Sequence, residues 1–213
     1  MLDINAAQLF IALLVLLFSL TVHESAHAWT ANQLGDSTAR RLGRISLNPA
    51  VHVDPIGTIL LPVMASVMHA PIIGWAKPVP VNLRNLARGR RDYLVVAAAG
   101  PVSNLILAVI ASVALRFVPV SPLTLGEMNL SAPLAVLCRT AVEINVLLAV
   151  FNMIPIPPLD GGNVLAGLLP DRIAGVFDNM RPYGFIIIYA LMLTGVLSTL
   201  VTPPYFQLLA WLR

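Results

Sequence analysis

Residues 6–22 form an almost unbroken apolar run, and it ends in His23-Glu24-Ser25-Ala26-His27. No other stretch limits the fold as tightly. Extended to Trp29, the run predicts a helix that crosses a bilayer, because about 20 apolar residues rising ~1.5 Å each span a hydrocarbon core. His23 then lies ~25 Å along the helix from Ala6, inside the membrane and near the end of the span. Helical residues four apart stack on one face, so both imidazoles can reach one metal ion. Glu24 projects beside them, placed to take a proton from a water at the metal. That is the metalloprotease reading of His-Glu-x-x-His. The plainer reading is two histidines satisfied by neighbouring helices. Polar clusters at membrane depth are costly when idle, which favours the metal.

The rest of the chain has the same character. It is 58% hydrophobic and 11% charged, with a mean hydropathy of +0.84. Such a balance belongs to an integral membrane protein with several spans. The expected fold is an all-α polytopic membrane protein with about five membrane segments and a short extended or re-entrant element near the active site. Residues 1–213 are read as a single transmembrane domain. The first apolar run lacks a basic leader and carries the motif, so it is not read as a removable signal peptide. Cys138 is the one cysteine, which excludes an intrachain disulfide. No nucleic-acid partner is expected. Eight of the 13 Lys and Arg fall between Arg40 and Arg91. The positive-inside rule then puts residues 34–54 in the cytoplasm, the N-terminus outside and the active site toward the cytoplasmic side.

Between the spans lie three informative stretches. In Asn48-Pro-Ala-Val-His52-Val-Asp54-Pro-Ile-Gly57-Thr58, prolines and glycine exclude a regular helix. His52 and Asp54 either face the metal site from a neighbouring polar cluster or serve as loop and cap residues. Residues 56–73 are apolar and either span or re-enter. Trp75-Ala-Lys77-Pro-Val79-Pro-Val81-Asn82 alternates two prolines with valines, which excludes helix and favours extended backbone. Extended chain at that depth needs protein or a water-filled cavity beside it. Trp75, Lys77, Val79, Val81 and Asn82 are therefore candidates for an edge that pairs with an extended substrate.

Spans are expected over residues 93–117, 133–151 and 183–201, with 203–213 too short to cross. Asn104 lies in the first of these and is either a hydrogen bond across the bundle or a support for the metal ligands. The third informative stretch is Asn152-Met-Ile-Pro155-Ile-Pro157-Pro158-Leu-Asp160-Gly161-Gly162. Its prolines end a helix, and its glycines permit close backbone approach. Asp160 is either a solvated turn residue or, at membrane depth, a carboxylate that must bind something. Glu143 competes for the role of third ligand, but the intervening helix puts it roughly 20 Å or more away.

With these stretches in view, the chain resembles the site-2 protease family of intramembrane zinc metalloproteases. The likeness rests on His23-Glu-x-x-His27, Gly100-Pro-x-x-Asn104 and Asn152-x-x-Pro-x-Pro-x-Leu-Asp160-Gly161, covering about residues 20–165. Asn48-Pro-x-x-His52-x-Asp-Pro-x-Gly57 is similar to the compact prokaryotic branch, and neither a PDZ insertion nor a nucleotide-sensing domain is seen. The resemblance implies one zinc ion per chain held by His23, His27 and Asp160. It implies Glu24 as catalytic base and Asn152 as a donor to the substrate carbonyl or its oxyanion. It implies a multi-pass protein of the inner cell membrane that cleaves transmembrane segments of other proteins within the lipid bilayer. Such cleavage serves regulated intramembrane proteolysis or clearance of signal-peptide remnants. The rival reading is a non-proteolytic membrane zinc-binding protein or transporter. An intact Glu24, and polar groups gathered at one depth, argue against it.

Overall fold

A computed structural model describes residues 6–61, 64, 75–119, 124–125, 128–129 and 131–212. Helix α1 covers Ala6–Gln33, four residues beyond the expected end. It stops where Gly35 takes φ +108°, a conformation that glycine adopts without penalty. A single turn, α2, follows at Thr38–Arg41. Pro49–Val51 and Pro55–Leu60 form short non-α turns, as the density of proline and glycine predicts. Most of the apolar segment expected at 56–73 lies outside the described residues.

Helix α3 covers Arg90–Arg116. Asp92, in its first turn, accepts from the Arg88 backbone N–H at 2.7 Å and from Arg88 Nε at 2.9 Å. These bonds tie the chain entering the helix to its first turn. Helix α4 covers Ser131–Asn152 and ends just before Pro155, Pro157 and Pro158, which cannot continue it. Between α3 and α4 lies a minimal antiparallel pair, β1 at Thr124–Leu125 and β2 at Met128–Asn129. Four further helices follow: α5 at Asp160–Leu168, α6 at Asp171–Met180, α7 at Gly184–Leu193 and α8 at Val196–Leu212.

Among the described residues, three helices are long and apolar enough to cross a membrane: α1, α3 and α4. The pair Arg172–Leu193 and Val196–Leu212 counts as a fourth at most, bent by 82°. Among the described residues the count is thus below the expected five or so, one of which, 56–73, lies mostly outside them. The stretch read as one span over 183–201 breaks at Gly195, whose φ is +76°. Residues 203–212, read as a short surface tail, belong instead to α8, with Leu209 buried.

Helix α3 is the centre of the bundle and packs on α1, α4 and α5, while α8 packs on α4. The core joins Ala108, Ala111, Val142, Val146 and Leu209. Small residues in α3 allow its neighbours to approach closely. The outward faces carry large apolar side chains such as Phe10, Phe18, Ile106 and Ile110, all more than half exposed. A surface of that kind suits lipid.

Candidate metal centre

His23 and His27 project from one face of α1, both buried. Asp160, the first residue of α5, meets them there. Its Oδ2 lies 3.1 Å from His23 Nε2 and 3.3 Å from His27 Nε2. The two Nε2 atoms are 3.1 Å apart. Among the described residues this is the one group of three side chains placed to hold a metal ion. Glu143, the rival carboxylate, is not part of it.

Each imidazole has its other nitrogen assigned. His27 Nδ1–H donates to the Val96 carbonyl at 2.7 Å. His23 Nδ1 bonds Asn104 Oδ1 at 2.6 Å, and an amide oxygen only accepts, so His23 Nδ1 carries a proton too. In the neutral imidazoles, both Nε2 atoms would then turn lone pairs toward the Asp160 oxygen. That oxygen is buried and has no hydrogen-bond partner. Three lone-pair-bearing atoms facing one another repel unless a cation lies among them. Their separations also suit tetrahedral zinc, since ligands ~2.0–2.1 Å from the metal sit roughly 3.3 Å apart. The residues fit the ion.

Local sequence explains how three elements converge. Gly100 faces both imidazoles: a Cβ there would collide with His23 and His27. Gly161 and Gly162 are helical rather than turn residues, and a Cβ on either would strike the 153–157 backbone. The proline stretch thus folds back tightly onto the start of α5, which carries Asp160 to the histidines.

A cavity of about 520 Å³ opens on the three side chains. Glu24, half-buried, lines it. So does Asn152, whose Nδ2 donates to the Leu148 carbonyl at 3.0 Å, leaving its second N–H for another acceptor. Trp75, Val79 and Val81 line the same cavity, whereas Lys77 and Asn82 do not. Residues 75–82 carry neither helix nor strand. Trp75 lies against Gly57 and stacks on Phe185 with ring centroids 4.6 Å apart.

His52 and Asp54 make no hydrogen bond to the three ligand side chains among the described residues. His52 is buried, and its Nε2 donates to the Ser46 carbonyl at 2.9 Å beside Ser25 Oγ at 3.4 Å. Asp54 caps the turn that follows, accepting from the N–H groups of Ile56 and Gly57. The loop's role is to seat the 75–77 chain: Lys77 N–H donates to the His52 carbonyl, and Thr58 Oγ donates to the Trp75 carbonyl.

Two features escaped the sequence reading. Arg181 lines the cavity wall, held by Asn163 at 2.9 Å and Asp178 at 3.4 Å, with Tyr93 beneath its guanidinium. Asn145 and Ser19, both buried in α4 and α1, continue the hydrogen-bond chain behind Asn104. Asn145 and Ser19 are lone polar residues whose partners across the bundle lie far away in sequence, so no local pattern marks them.

Comparison with known proteins agrees with the geometry. The chain is 38% identical over 193 residues to YwhC of Bacillus subtilis, named as a candidate zinc metalloprotease, covering 89% of this chain and 83% of that one. It is 30% identical over 195 residues to Rip2 of Mycolicibacterium smegmatis, described in the same words, covering 92% and 70%. Rip2 of Mycobacterium tuberculosis strain H37Rv is 29% identical over 184 residues, covering 85% and 66%. No solved structure matches. The sequence profile described as peptidase family M50 matches residues 11–195, and it runs through His23, His27 and Asp160. The chain is a membrane metalloprotease belonging to peptidase family M50, the site-2 proteases.

Proposed function

We propose that the chain is a zinc-dependent endopeptidase that cuts transmembrane segments of other membrane proteins inside the bilayer. The observation that carries this reading is the cluster of His23, His27 and Asp160 on one cavity with Glu24, between helices that suit lipid.

Two imidazole nitrogens and one carboxylate oxygen would hold zinc and leave a coordination position open toward the cavity. Bound zinc supplies Lewis acidity, lowering the pKa of a water and polarising a carbonyl. Glu24 lies one residue from His23 on α1 and lines the cavity, where it accepts the proton of the attacking water as general base. The free N–H of Asn152 donates to the carbonyl oxygen of the scissile bond as negative charge develops there. A substrate must be locally unwound, because a helix occupies its own carbonyls. The non-helical chain with Trp75, Val79 and Val81 on the cavity wall suits an extended segment. His52 and Asp54 serve that wall rather than the ion. Lys77 and Asn82 flank it. The partners are thus transmembrane substrates and the lipid around them. The arginines at 40, 41, 44, 84, 88, 90 and 91 support a cytoplasmic position for this end of the bundle, with the N-terminus outside.

Reconstitution tests the proposal. In proteoliposomes containing a reporter transmembrane substrate, the protein should cleave with about one zinc per chain. It should stop on chelation and resume on zinc addition. A cysteine at Arg88 in the same vesicles reports which side faces out. Cleavage that persists in metal-stripped protein contradicts the proposal.

A further inference from the structure

Behind His23 runs a hydrogen-bond chain whose direction is fixed at its far end. Asn145 Nδ2 lies 2.8 Å from the Ala141 carbonyl on its own helix. A carbonyl only accepts, so the amide nitrogen must face it and the amide oxygen must face away. That oxygen accepts from Asn104 Nδ2 at 2.9 Å. Asn104 Nδ2 also approaches the Ser19 carbonyl at 3.4 Å, a longer and weaker contact that favours the same orientation. Asn104 Oδ1 is then left to face His23 Nδ1 at 2.6 Å. The second N–H of Asn145 donates to Ser19 Oγ at 2.9 Å. Ser19, Asn104 and Asn145 are each 2% exposed or less, so no water competes to reorient them.

We infer that Asn145 is a positioning residue for the metal centre: it sets the orientation of the Asn104 amide and so holds His23 in the tautomer with Nδ1 protonated and Nε2 free. The chain spans three helices, from α4 through α3 to α1. Its logic is polarity rather than contact. Were Asn104 reversed, its N–H₂ would face His23, and the ring would be driven to protonate Nε2, the atom that must bind metal. An isolated Asn104 has no such preference. Asn145 supplies it, with Ser19 as a secondary anchor. The helical carbonyl at Ala141 is the fixed reference.

The inference rests on the reading that His23 is a metal ligand, and wild-type zinc binding tests that reading separately. Two variants, read together, test the inference itself. Zinc competition with a chromophoric chelator should show Asn145→Leu, which removes the acceptor, binding zinc roughly 10–100-fold more weakly. Asn145→Asp keeps an acceptor toward Asn104 and, buried and neutral, offers a proton to the Ala141 carbonyl. It should bind zinc within about threefold of wild type, the resolution of the comparison being well inside the effect expected for loss of a supporting group. Equal losses in the Leu and Asp variants, or wild-type affinity in both, contradict the assignment.

Discussion

At the scale of single residues, the proposed metal centre depends on an atom that is missing. Gly100 presents only hydrogen where a Cβ would meet Nε2 of both histidines. Gly100→Ala should leave the helix intact, since alanine favours helix over glycine by about 0.5–1 kcal/mol. It should nevertheless push the imidazoles off the ion. Overpacking typically costs about 1–3 kcal/mol, so zinc affinity should fall by roughly tenfold or more while helical circular dichroism holds. Unchanged zinc affinity would show that the imidazoles do not rest on Gly100. His23, His27 and Asp160 were legible in the sequence because their chemistry is written in local spacing and in depth along an apolar run. Gly100 was visible only as a motif letter, since what it accommodates lies on another helix. Asn145 was not visible at all: its contacts reach across 41 and 126 positions to Asn104 and Ser19.

At the scale of elements, the non-helical chain over 75–82 is fastened at both ends. Its front rests on the 52–58 turn, with Lys77 N–H on the His52 carbonyl at 2.8 Å and Trp75 N–H on the Gly57 carbonyl at 3.2 Å. Its rear is held by Asp36, a buried carboxylate just beyond α1. Asp36 accepts from Asn82 N–H at 2.6 Å, Asn85 Nδ2 at 2.9 Å and Thr38 Oγ at 2.5 Å. Burial pushes the Asp36 carboxyl upward, but the bonds from Thr38, Asn85 and Asn82 outweigh it and hold the group below the usual carboxylate range. A lowered folded pKa means stability that is present above the unfolded value, ~3.9, and lost as pH falls through the folded one. Asp36→Ala should therefore destabilise the protein by about 2 kcal/mol at neutral pH. It should also hasten tryptic cleavage at Arg84 and Arg88, and its stability gap to wild type should close below about pH 4. A gap that is absent at pH 7, or that widens in acid, contradicts the clasp. Sequence alone pointed to non-helical chain here through its prolines. The fastening was illegible, because Asp36 reads locally as a turn residue after Gly35.

At the scale of the whole molecule, a bundle of α1, α3 and α4 offers its outer faces to lipid and encloses a cavity that reaches the three ligand side chains. Composition alone announced the membrane, since no other solvent accepts so many outward apolar side chains. The span expected over 183–201 was drawn too straight because hydropathy sums over a window and cannot register the 82° bend near Gly195. The central claim is that this bundle brings a general base and a zinc site to one peptide bond. Glu24→Gln tests it most directly: the amide is nearly isosteric and is not a ligand, yet it cannot accept a proton. Cleavage of a reporter transmembrane substrate should fall by about 10²–10⁴-fold, with zinc content unchanged. Cleavage at near wild-type rate, with zinc still bound, would contradict the account.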